Sequence, residues 1–244
     1  MNSSVSSDVV ADMNSGKSTG RLAGLLWLLA AVTAGFSLIY VRPRLIIPGD
    51  AAATVSNIVA SASLFRAAIA SMVLSQIFTL FFGLTIFRLF TGFNRTVATV
   101  FLTSLLVGVA LGVANSLNNI GALLVVTNPD YLKAFQPEQI NALATTFLRM
   151  NNSGIGLIEI FTALYMFSFG LLIIRSRSLP RVIGVLLMIG ACAFPINTFT
   201  KILIPQFYPA LITRLTMLLN AFGPPAAMLW LLSKGVDEQR LISE

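Results

Sequence analysis

Histidine does not occur in the 244 residues, and cysteine occurs once, at Cys192. The first absence removes histidine-ligated haem, the common zinc sites and any imidazole proton relay. The second excludes a disulfide within the chain, and one thiol inside an apolar block says nothing of redox compartment. Charge is scarce too, at 10% of residues against roughly 25% in an ordinary soluble domain. No nucleophile stands beside a paired carboxylate, no glycine loop precedes a helix as a phosphate cradle, and no metal-ligand spacing occurs. No cofactor is therefore expected, and an intramembrane enzyme has the least support of the functional readings.

Apolar residues are abundant, at 56% of the chain, and the mean hydropathy is +0.86. They come in blocks of about 20, the length that crosses a hydrocarbon core of roughly 30 Å. The sequence thus predicts an all-α fold, a polytopic membrane helical bundle of about six transmembrane helices with short interfacial helices in the outer loops. The net charge of +7 does not point to nucleic acid, because the Lys and Arg residues are scattered at the ends of apolar blocks, where they anchor and orient helices. Membrane lipids are the expected partners.

Residues 1–20, rich in Ser and Asn, read as a disordered cytoplasmic tail, 21–235 as the six-span domain and 236–244 as a second cytoplasmic tail. The spans are expected near Leu22–Val41, Ala67–Phe87, Thr96–Val126, Asn152–Ile174, Val182–Leu203 and Leu211–Leu232. Arg42-Pro43-Arg44 is expected to stop the first, and Ile47-Pro48-Gly49-Asp50 forms a turn whose aspartate caps a short interfacial helix from Ala51 to about Ser63. In the polar connection from Thr127 to Arg149, Asn128-Pro129-Asp130 and Gln136-Pro137-Glu138 both look like helix starts. One side of the membrane collects nine basic residues (Lys17, Arg21, Arg88, Arg95, Arg175, Arg177, Arg181, Lys234, Arg240) and the other seven (Arg42, Arg44, Arg66, Lys133, Arg149, Lys201, Arg214). That bias, with the short basic connections on the richer side, places both termini in the cytoplasm.

Ionisable groups inside spans cost roughly 2.5–3.5 kcal/mol at mid-bilayer and so raise a functional question. Glu159 is the one acid so placed. It shares a helical face with Asn152 and Thr162, about 10 Å below the outer end of its helix at ~1.5 Å per residue. Asn115, Asn118 and Asn119 form a stripe on the third span, Asn197 and Lys201 one on the fifth, and Arg214 and Asn220 lie on the sixth. Two readings stand. Glu159, Asn115, Asn119, Asn152, Asn197, Lys201 and Arg214 converge on an outward-facing polar pocket for a small polar or anionic ligand, with Glu159 paired to Lys201 or Arg214. Alternatively they satisfy one another as interhelical hydrogen bonds and need no ligand. Gly223-Pro224-Pro225 should kink or break the sixth span, as in transporters with broken helices or as a static bend.

Three stretches carry a resemblance: Arg21 to Phe36, Tyr40 to Thr54 through Pro48-Gly49-Asp50, and Arg177 to Leu187, supported by Leu229 to Val236. On these residues the chain resembles the bacterial multi-pass membrane family catalogued as domain of unknown function 4386. The resemblance implies a bacterial cell (inner) membrane protein and brings no established activity. Where many members carry a His, an Asp and a Glu, the matching places here look like Asn152, Asn197 and Pro224. Any proton or cation binding by those family residues would be weakened in this chain. The functional readings are a membrane protein that binds or moves a small polar or anionic solute, or a non-catalytic accessory or scaffold acting through helix contacts or lipid headgroups.

Overall fold

The computed structural model describes residues 2–204 and 210–237, and among these the backbone is helical almost throughout, with no strand. Six helical stretches are long and apolar enough to cross a bilayer: Gly16–Leu45, Ala62–Phe90, Arg95–Thr127, Pro137–Ser176, Arg181–Leu203 and Leu211–Lys234. Only 17% to 44% of their most apolar windows is buried inside the protein. Ile39, Leu203 and Met217 are 78%, 71% and 68% exposed. At roughly 25 cal/mol per Å², that much apolar surface is not left in water. The protein is therefore a multi-pass membrane protein whose outer faces are solvated by lipid.

Helix α1 covers Asn2–Gly35 and continues through a π-helical segment, Phe36–Val41, into α2, Arg42–Leu45. The expected stop at Arg42 is thus displaced by one turn. A proline ring inside an α-helix collides with the carbonyl four residues back, and the wider π turn directly ahead of Pro43 relieves that collision. Residues 2–20, expected as an irregular tail, continue α1 upstream. They hold no proline, and extending an existing helix avoids the cost of a new nucleus. The C-terminal tail lies outside the described residues from 238 onward.

The turn Ile47–Asp50 closes with Asp50 N–H donating to the Ile47 carbonyl at 3.2 Å. Pro48 presets its first central position, and Gly49 takes the second at φ +84°, which a side chain rarely tolerates. Asp50 then caps α3, Ala51–Ala60, by accepting from Ala53 N–H at 2.8 Å. Helix α4 is Ala62–Phe90, and α5 is Arg95–Thr127, entered through Asn94, whose Oδ1 accepts from Val97 N–H at 3.0 Å. Helix α6, Pro129–Ala134, and α7, Pro137–Ser176, begin at the two expected starts. The second start does not lead to a separate loop helix. It opens a continuous helix of 40 residues that becomes the fourth span. No Pro or Gly interrupts it before Gly154, and Ile140, Ala144 and Leu148, spaced by four, bury one stripe. Helix α8 is Arg181–Leu203; α9, Ala210–Asn220, and α10, Gly223–Lys234, make the sixth span in two pieces. The break falls where the proline pair predicts it, with the prolines in the first turn of α10, where no backbone donor is needed.

The chain forms two compact units. Unit 1 comprises Met1–Leu28, Phe78–Gly108 and Gly156–Glu244, and unit 2 comprises Leu29–Ile77 and Val109–Ile155. Unit 1 is built on aromatic packing: Phe169 meets Phe82, Phe90 and Phe101 with ring centroids 5.7 to 6.3 Å apart, and Trp27 lies 4.8 Å from Phe82. Its helices come close at glycines. A Cβ on Gly170 would lie 2.6 Å from the Gly184 carbonyl oxygen, and one on Gly184 would lie 2.7 Å from that of Gly170. Unit 2 has an aliphatic core in which Val41, Leu45, Ile58, Phe65, Val126 and Leu148 are buried together.

Candidate functional site

The seven residues expected to converge are divided between the units. Asn115, Asn119 and Asn152 belong to unit 2; Glu159, Asn197, Lys201 and Arg214 belong to unit 1.

In unit 1, Glu159 Oε2 accepts from Asn197 Nδ2 at 3.4 Å and from Thr198 Oγ1 at 3.3 Å. Thr198 also reaches the Gly156 carbonyl at 3.0 Å, and Thr213 donates to Asn197 Oδ1 at 3.5 Å. These contacts join α7, α8 and α9. Lys201 acts on the carboxylate through its charge, whereas Arg214 is exposed on α9 and makes no contact with Glu159. The carboxylate is thus held by neutral donors, not by the direct ion pair expected with Lys201 or Arg214. Thr198 and Thr213 were not singled out in the sequence because hydroxyls carry no spacing signal in an apolar helix.

In unit 2, Asn115 Nδ2 donates to the Asn151 carbonyl at 2.9 Å, and Asn151 Nδ2 returns a bond to the Asn115 carbonyl at 3.2 Å. Asn118 donates to Asn115 Oδ1 at 2.9 Å. This reciprocal clasp fastens α5 to α7, the role usual for amides between membrane helices. Gly154 leaves room for it, since a Cβ there would fall on the Asn115 amide. Asn119 instead lines a small cavity of about 30 Å³ beside Arg42.

Asn152 faces elsewhere. Its Oδ1 accepts from Arg42 Nη2 at 3.2 Å, and both residues line a larger cavity of about 530 Å³. Its polar wall includes Arg42, Arg149, Asn152, Asp50, Thr54 and Thr145, and Leu38, Ile46, Ile47 and Leu148 make much of the rest. That volume lies within the ordinary range for small-molecule sites. Local bonding builds the wall. Thr54 Oγ1 donates to the Asp50 carbonyl at 2.8 Å and accepts from Ile47 N–H at 2.9 Å, which pins the Pro48-Gly49 turn to α3. The π segment sets Leu38, Arg42 and Ile46 along one wall.

Charge in this cavity is unbalanced. Two guanidinium groups face one carboxylate, and that carboxylate is occupied in capping α3. A guanidinium has five N–H donors. Arg42 uses one on Asn152, and Arg149 uses none among the described residues. The Thr145 hydroxyl is buried without a hydrogen-bond partner, whereas Thr146 beside it bonds back to the Ala142 carbonyl. Nine of the fourteen lining residues fall within Tyr40–Thr54, one of the stretches on which the family resemblance rests.

The family model described as domain of unknown function (DUF4386) matches residues 22–235. The chain belongs to that family. Its match takes in five spans whole, the first from Leu22 onward, and every cavity residue. Comparison with curated proteins and with solved structures returned no match.

Proposed function

We propose that this member of the family is a membrane-embedded binding protein for a small ligand bearing negative charge, held in the unit 2 cavity. The observation that carries the reading is the pair Arg42 and Arg149 in one cavity of about 530 Å³ whose single carboxylate already serves as a helix cap. Arg42 is half-buried, and a guanidinium so placed in a membrane protein is costly unless it meets an acceptor, which an anion supplies. In this reading the Glu159 cluster and the Asn115 clasp are structural bonds between helices, and Asn152 orients Arg42. The protein sits in a bacterial cell membrane with both termini in the cytoplasm, so that the cavity lies toward the outer face.

Thermal unfolding in detergent tests it, with phosphate, glycerol 1-phosphate and short carboxylates as probes. A ligand at a hundred times its Kd stabilises the folded state by about 2.7 kcal/mol. A rise in Tm with one of these anions, absent in Arg42→Gln with Arg149→Gln, is the expected result. No response to any anionic probe, water-soluble or lipid, ends the reading and leaves the accessory role, for which a stably co-purifying partner would be the evidence.

A further inference from the structure

The unit 2 cavity is lined by two kinds of exposed side chain that suit different solvents. Leu38 and Ile47 line it and are 42% and 39% exposed, and Ile39 and Tyr40 next to Leu38 are exposed as well. These side chains belong to a membrane-crossing helix and the turn after it, so acyl chains solvate them. Arg149, Asn152 and Asp50, which line the same cavity, are exposed as well and supply its charged and polar groups. A cavity lined by both exposed apolar and exposed charged side chains fits an amphiphile better than a fully hydrated solute.

The polar wall narrows the head group. Arg42 and Arg149 against Asp50 leave one net positive charge. Guanidinium forks match the paired oxygens of a phosphate, and a singly charged phosphodiester balances that charge where a doubly charged monoester would not. Beside it, the free oxygen of Asp50 suits a hydroxyl-bearing head. The wide π turn that sets Leu38 and Arg42 on one wall is a feature often found at functional sites.

We infer that the ligand is the phosphodiester head of an anionic glycerophospholipid, reached sideways from the bilayer between Leu38 and Ile47. This rests on the anion-binding reading of the same cavity and names the source of the anion.

The test uses the full-length protein purified from membranes containing phosphatidylglycerol, with native mass spectrometry of bound lipid. Competition follows from phosphatidylcholine and from water-soluble glycerophosphoglycerol. Arg44 is the control, because it lies on the same short helix outside the cavity, donates to the Tyr40 carbonyl at 2.6 Å and stacks on the Tyr40 ring. One phosphatidylglycerol should stay bound to the wild type and to Arg44→Gln. Retention should fall about tenfold or more for each of Arg42→Gln and Arg149→Gln, the worth of a charged hydrogen bond. Should a glutamine variant misfold, the wild-type competition still decides, since phosphatidylcholine should not displace the bound lipid. Equal loss in Arg44→Gln, or equal displacement by phosphatidylcholine, overturns the inference. Glycerophosphoglycerol binding as tightly as the lipid overturns it while sparing the anion-binding function. A response to small anions without any retained lipid does the same, and silence from every anion removes both.

Discussion

Gly170 and Gly184 show how little tolerance the unit 1 helices have, because each would drive a methyl group into the other's backbone carbonyl. Backbone cannot swing aside as a long side chain can. Gly170→Ala and Gly184→Ala should each cost about 1–3 kcal/mol, the usual penalty for overpacking, read as a lower Tm in detergent. Gly92→Ala, where nothing lies within 4 Å of the added carbon, should leave Tm unchanged or slightly raised. Asp50 offers a second single-residue test. Its carboxylate caps α3, so Asp50→Ala should cost about 1 kcal/mol of stability. It should also loosen the cavity wall, whereas Asp50→Asn, which keeps an acceptor oxygen, should preserve the cap. The aspartate was visible in the sequence as a cap after Pro-Gly. The sequence did not show which helix each glycine meets.

At the scale of elements, helix starts were legible and helix ends less so. A start is written in short-range chemistry. Gln139 Oε1 accepts from Gln136 N–H at 2.9 Å, and Asn128 Oδ1 from Asp130 N–H at 2.9 Å, within three residues in each case. An end depends on what the helix packs against. The polar run after Pro137 looked like a loop helix because its exposed face is hydrophilic, but its buried stripe fits the unit 2 core and carries the helix on into the membrane. That packing is testable at Ala144, which is wholly buried, against Ala142, which is exposed. Ala144→Leu should lower stability by about 1–3 kcal/mol, and Ala142→Leu should leave it nearly unchanged. Equal Tm values for the two variants would contradict the buried stripe. The proline pair in the sixth span was read as a kink or break, and the helix is interrupted there, because two missing donors and a ring clash act locally whatever surrounds them.

For the whole molecule, the orientation expected from charge placement is open to direct measurement. Alkaline phosphatase fused after Asp50 or after Glu138 should be active outside the cytoplasm, and a fluorescent protein fused at Glu244 should fold and glow inside. The reverse pattern would turn the cavity toward the cytoplasm. Composition and block length alone determined that the chain is a helical membrane protein, because a bilayer admits only helices and closed barrels, and continuous apolar blocks of about 20 residues fit the helix. Block length also determined the number of spans, and the proline pair the interruption of the sixth. The division of the polar residues was decided only by the tertiary structure. A one-dimensional pattern gives the depth and face of Asn115, Asn152 and Glu159, but not the rotation of each helix about its axis, and that rotation set Asn152 beside Arg42, 110 residues away, and Glu159 beside Asn197 and Thr198.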